Sequence, residues 1–85
     1  MPTIKKQDGF EVVINTRDEH LPPHVHVWNA DGEVIINLGN SRTAPSQHEV
    51  NGMAKKDVKK ALEIVTDNQR VFLKEWWRIW RQIHG

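Results

Sequence analysis

Residues 53–84, MAKKDVKKALEIVTDNQRVFLKEWWRIWRQIH, decide how the chain folds, because here the apolar pattern changes its period. Val58, Leu62, Val65, Gln69, Phe72, Trp76, Ile79 and Ile83 follow one another at alternating steps of four and three residues, which is one face of an α-helix. No glycine or proline interrupts the run. A helix of about thirty residues is about 45 Å long, whereas a typical strand reaches only about 20 Å. Such a helix overhangs its own sheet, kinks near residues 66–68, or packs on another subunit. Its start is weakly capped, with Ala54 at the cap position and Asp57 as the only acid of the first turn.

Upstream of Met53 the period is two. Residues 3–6 predict a short strand, Asp8-Gly9 a tight turn, and residues 10–15 a second strand with Phe10, Val12 and Ile14 on one face. Residues 24–28 and 33–38 predict a hairpin around Asn29-Ala30-Asp31-Gly32, where the Asp-Gly pair is expected to supply the positive-φ position that hairpins favour. Residues 39–52, GNSRTAPSQHEVNG, have loop composition, with an extended piece at residues 48–50 as a candidate fifth strand. The expected fold is one α+β domain over residues 1–85. Four strands, or five with the extended piece, form a mostly antiparallel sheet, and one long C-terminal helix over residues 53–84 packs on one face.

A chain of 85 residues has room for one small core and little room for a large cofactor pocket, so partner surfaces gain interest. It has no cysteine, which excludes disulfides and thiolate chemistry and leaves any metal to His, Asp and Glu. No apolar stretch suggests a membrane span or an export signal, so the cytoplasm is the expected location. The formal charge of +1 is unevenly spread: residues 1–52 carry −3 and residues 53–85 carry +4. A basic C-terminal part suits an acidic protein partner or RNA, or is simply a solvated helix face.

Three of the five histidines fall in EHLPPHVHV, residues 19–27. Pro22-Pro23 stiffens the entry to the strand, after which Val25 and Val27 point one way and His24, His26 and Trp28 the other. Imidazoles at i and i+2 on a strand stand roughly 6–7 Å apart at their Cα atoms and can reach one Zn²⁺ or Ni²⁺ ion, with His20, Asp18, Glu19, His48 or Glu33 as the third ligand. Nothing in the spacing forces those groups together, and no cofactor is expected as the leading reading. As an acid–base pair, His24 and His26 would cleave RNA, with Arg17 or Arg42 holding the phosphate. The histidine-triad hydrolases are set aside, since HVHVW has Trp28 where a third histidine belongs. A purely structural role, an imidazole bonded to backbone at the proline corner, is the competing reading for at least one of the three.

On the helix, Arg70, Lys74, Arg78 and Arg81 form a basic stripe beside Trp77, a combination that suits RNA or an acidic partner. Glu63, Asp67 and Glu75 dilute it. Trp76 belongs to the apolar stripe. Trp77 and Trp80 flank it, and with Trp28 they are the expected partner or oligomer contacts, because so small a domain covers several indoles poorly.

MPTI at the N-terminus, the Gly9 turn, PPHVHV at residues 22–27, GEVIINL, ALEIVTDNQRVFLKEW and the terminal His84-Gly85 together resemble the bacterial family called domain of unknown function 4160. The likeness covers nearly the whole chain. It implies a cytoplasmic protein of uncharacterised function, often encoded beside a second small protein of domain of unknown function 2442 type, and a component of a toxin–antitoxin-like pair. No catalytic residues carry over from it. Trp28 stands where such sequences often have a basic residue, and Ala54 where a hydroxyl cap is usual. The leading expectation is therefore an interaction module whose partner is the neighbouring-gene protein or a second copy. The alternative is a small RNase or metal-dependent hydrolase built on His24 and His26.

Overall fold

The computed structural model describes residues 2–15 and 20–84. Five strands come first: β1 (Thr3–Gln7), β2 (Phe10–Val13), β3 (His24–Trp28), β4 (Glu33–Asn37) and β5 (Ser46–Asn51). They form an antiparallel sheet in chain order, each strand beside its sequence neighbour. Two helices follow, α1 (Lys55–Asp67) and α2 (Gln69–His84).

Two expectations sharpen. The extended piece read at residues 48–50 belongs to a full strand, β5, all six residues of which are exposed. It buries no side chain, so it lacks the apolar alternation that marks a strand, and backbone pairing to β4 holds it in place. The long helical run takes the kink read near residues 66–68: it is divided at Asn68, whose φ of −117° leaves the helical region. Its side-chain amide donates to the Ile64 carbonyl at 2.7 Å, and its own carbonyl accepts from the Phe72 N–H at 2.8 Å. Asn68 thus closes α1 and opens α2. Ala54 caps α1 without a side-chain hydrogen bond, and Asp57 accepts one from Asn29 at 3.3 Å.

The sheet face toward the helices carries Phe10, Val12, Ile14, Val25, Val27, Val34, Ile36 and Leu38, all buried. Val58, Ala61, Ile64 and Val65 of α1 and Phe72, Trp76 and Ile79 of α2 complete this core. Gln69, the one polar member of the helical stripe, donates to the carbonyls of Leu38, Asn40 and Thr43 at 2.8–3.0 Å. It ties the 39–43 loop to the start of α2, which explains a polar residue on an apolar face.

Asp8 and Gly9 both have positive φ, as a two-residue hairpin requires. Gly32 does not, contrary to expectation. The Asn29 side-chain oxygen instead accepts the N–H groups of Asp31 and Gly32, each at 2.9 Å, to set the turn. Gly32 is required for space: a Cβ there would lie 2.3 Å from the Asn51 carbonyl oxygen and 2.7 Å from the Met53 nitrogen. The backbone leaving β5 passes directly over it.

Candidate functional site

On the face opposite the aliphatic core, register alone sets out the site. Val13 pairs with His26, His26 with Ile35, and Ile35 with Glu49, while His24 lies opposite Asn37. Between the Ile35–Glu49 and Ile36–Gln47 pairs, β5 spends one residue more than β4, and that residue is His48. The bulge brings His48 and Glu49 to the same side of the strand, a common device for re-aiming side chains at sites. The result is a cavity of about 310 Å³ lined by His20, Pro22, His24, His26, Ile35 and Asn37, with His48 and Glu49 from β5.

His24 and His26 form its floor. Their ring centroids are 5.6 Å apart, and His20 lies 5.1 Å from His24. His20 and His48 are exposed at the rim, His26 is partly covered and His24 is buried, 6% exposed. His24 stands less open than strand alternation implies, because the Trp76 indole of α2 comes within 6.3 Å of its ring. The indole nitrogen of Trp76 is itself buried with no hydrogen-bond acceptor among the described residues.

Hydrogen bonding assigns the tautomers. His24 Nδ1 lies 2.9 Å from the Pro22 carbonyl oxygen, which can only accept, so Nδ1 carries the proton. His26 Nδ1 lies 3.0 Å from a Glu33 carboxylate oxygen and donates to it. The same oxygen accepts the Trp28 indole N–H at 2.6 Å, and Asn51 donates to the other oxygen at 3.4 Å. Each imidazole is therefore oriented through Nδ1, which leaves Nε2 to exchange a proton. Burial by itself raises the Glu33 carboxyl, but the hydrogen bonds from Trp28 and His26 and the charge of His26 outweigh it and hold the group below the usual carboxylate range. Burial pushes His24 below its ordinary 6.5, against the raising effect of the bond to Pro22, and His26, His20 and His48 push it the same way as burial.

These shifts set a pH dependence of stability. Below pH 6.5 the unfolded chain takes up the His24 proton before the folded one does, so stability falls from that point until the folded value is passed. The contribution of Glu33 is present above its ordinary 4.5 and is lost as pH falls through its lower folded value. The urea midpoint of the protein is expected to drop in two stages on acidification, and His24→Gln is expected to remove the first. A midpoint that is level from pH 6.5 to 5 in both proteins contradicts the assignment.

The other sequence candidates are dispersed. Arg17, with Asp18 and Glu19, lies outside the described residues. Among the described residues no group of three or more His, Asp or Glu side chains is placed to hold a metal ion, and His20, His24 and His26 meet as neighbouring rings. Trp28 joins the Glu33 network. Trp80 stacks between Trp76 and His84, with centroids at 6.3 and 4.4 Å, and packs against the core. Trp77 is 38% exposed, and with Leu73, Pro22, Pro23 and Asn37 it lines a second groove that shares Pro22 and Asn37 with the histidine cavity. Arg78 is paired with Glu75 at 2.7 Å and Arg81 donates to the Trp77 carbonyl at 3.3 Å, while Arg70 and Lys74 are exposed.

Asn37 is the residue that spacing did not single out, and Glu33, named from the sequence as a candidate third ligand, orients His26 instead. A signal was present: in a hairpin closed at residues 29–32, Glu33 pairs with Trp28 and sits diagonally from His26. His48, also a candidate third ligand, carried no such spacing signal, since its place depends on a bulge in β5.

Fold and site together define a small α+β domain with a histidine cavity on the outer face of an antiparallel sheet. A family model described as Domain of unknown function (DUF4160) matches residues 9–77, and the chain belongs to that family. No curated protein and no solved structure matches it. Among the described residues no helix is long and apolar enough to cross a membrane.

Proposed function

We propose that the cavity is a general acid–base site that cleaves phosphodiester bonds in RNA without a metal. The observation that carries this reading is the pair His24 and His26, side by side at 5.6 Å, each oriented through Nδ1 by a fixed acceptor. In a productive pair one imidazole accepts a proton while the other gives one up. His24, buried and held neutral, takes the proton from the ribose 2′-hydroxyl through Nε2 as that oxygen attacks phosphorus. The bond to the 5′-oxygen breaks, and protonated His26, its ring oriented and its charge balanced by Glu33, gives that oxygen a proton. The products are a 2′,3′-cyclic phosphate and a 5′-hydroxyl. The groove beside Trp77 supports the choice of RNA, because it adjoins the cavity and offers an indole to a base near exposed Arg70 and Lys74.

The test is incubation of the purified protein with single-stranded RNA, in parallel with the same sequence as DNA. RNA is expected to yield cyclic-phosphate ends with a bell-shaped dependence on pH, and DNA, lacking the 2′-hydroxyl, to remain intact. RNA left whole between pH 5 and 8 overturns the reading.

A second reading is favoured by one further observation: Val71, Trp77 and Ile83 are exposed on α2, Ile83 although it lies on the apolar stripe. On this reading the chain is a cytoplasmic interaction module in a toxin–antitoxin-like pair, held to its neighbouring-gene partner through α2. Co-purification of the two products, lost on Trp77→Ser with Ile83→Ser, tests it. The two readings are compatible if the partner silences the cavity.

A further inference from the structure

The two edges of the sheet differ in a way that neither reading uses. β1 carries Lys5 and Lys6, the charged residues that commonly keep an edge strand from pairing with other chains. β5, at the other edge, is six residues long, fully exposed, and contains no lysine or proline. Among the described residues it is paired on one side only, to β4, and its outward N–H and C=O groups have no ladder partner there. Because His48 and Glu49 are turned to the cavity side, Val50 faces the helices, where it is 37% exposed. There a groove of about 560 Å³ runs between β5 and α1, with Val50, Met53, Val58 and Leu62 along its floor and Lys55 and Lys59 beside them.

We propose that the open edge of β5 and this groove form a strand-addition site for an extended acidic segment of a partner protein. A segment hydrogen-bonded to β5 would lie alongside α1, with every second side chain over the groove, since side chains alternate along a strand. The apolar floor takes valine-like residues. Lys55 and Lys59, both exposed on α1 beside the groove, select acidic side chains at other groove-facing positions of the segment by charge. The same lysines argue against a second copy of this chain as the occupant, because the one acidic residue of β5, Glu49, is turned to the cavity side, away from the groove. β5 also gives His48 and Glu49 to the lining of the histidine cavity, but the site uses neither His24 nor His26 and its binding is measured without RNA, so it stands or falls apart from the catalytic reading.

The experiment uses the whole protein and two short capped peptides with threonine at every second position; at the positions between, one alternates valine and glutamate, the other valine and lysine. The acidic peptide is expected to bind, to slow hydrogen exchange at β5 amides, and to bind more weakly as salt is raised. Lys55→Glu with Lys59→Glu, two surface changes that leave the core untouched, is expected to weaken it about tenfold or more, in line with two charge pairs reversed at a partly screened surface. Val50→Asp provides an independent check on the groove. Equal binding of the lysine peptide, binding without protection of β5, no binding of the acidic peptide, or protection of β5 through self-association of the protein alone each overturns the proposal.

Discussion

Replacing His26 with alanine is expected to reduce RNA cleavage by roughly 10²–10⁴-fold while leaving the fold intact, and His24→Ala is expected to do the same. The size follows from what a positioned imidazole contributes to proton transfer, and the direction from the geometry: each ring is fixed through Nδ1 and has only Nε2 to offer. The two variants differ in their structural cost. His26 is partly exposed and its loss leaves a Glu33 carboxylate that keeps the Trp28 and Asn51 hydrogen bonds. His24 is buried, and its loss strips the Pro22 carbonyl of its donor, at about 1 kcal/mol of stability. Circular dichroism and a urea titration separate that cost from lost chemistry. Should both alanine variants cleave at the parent rate, the histidines are not the catalysts. Glu33→Gln is an informative third variant, since the amide keeps a side chain near His26 but removes the charge that balances its ring.

The second large effect concerns stability. Phe72→Ala is expected to cost about 3–5 kcal/mol, the usual range for removing a buried aromatic side chain. Phe72 is 1% exposed at the start of α2 and packs in the cluster that joins both helices to the sheet. A domain of this length has a total stability on the order of 5–10 kcal/mol, so this one change consumes about half of it. The neighbour Val71, 58% exposed, serves as the control, and Val71→Ala is expected to shift the urea midpoint little. A comparable loss at both positions would mean that α2 is not docked through the face described. Loosening α2 also reaches the cavity, because Trp76 lies against the His24 ring and Leu73 and Trp77 wall the adjoining groove. Residual activity in Phe72→Ala is therefore expected to fall along with stability.

Much of this molecule could be read from its residues in order. The paired strands around Asp8-Gly9 and residues 29–32 and the helical stripe from Val58 to Ile83 all rest on periodicity, which near neighbours express within a few residues of one another. The division of PPHVHV into Val25 and Val27 for the core and His24 and His26 for the other face follows from strand alternation, and both valines are fully buried. Other features could not be read this way. β5 has one apolar residue and buries none, so its membership in the sheet depends on backbone partners in β4. Gly32 was expected to serve a backbone angle and instead makes room for a chain segment twenty residues away.

The sequence by itself determined the class of fold, the face on which the two strand histidines stand, and the apolar stripe that closes the core. These depend on side-chain period, which is a local property. The tertiary structure alone decided that His20 and His48 reach the same cavity, that Glu33 orients His26, that of the outcomes open to the long helix the break at Asn68 is the one taken, and that one sheet edge stays open beside two lysines. Those depend on strand register, on a single inserted residue in β5 and on where the helices come to rest, and distant parts of the chain set them only once the core has packed.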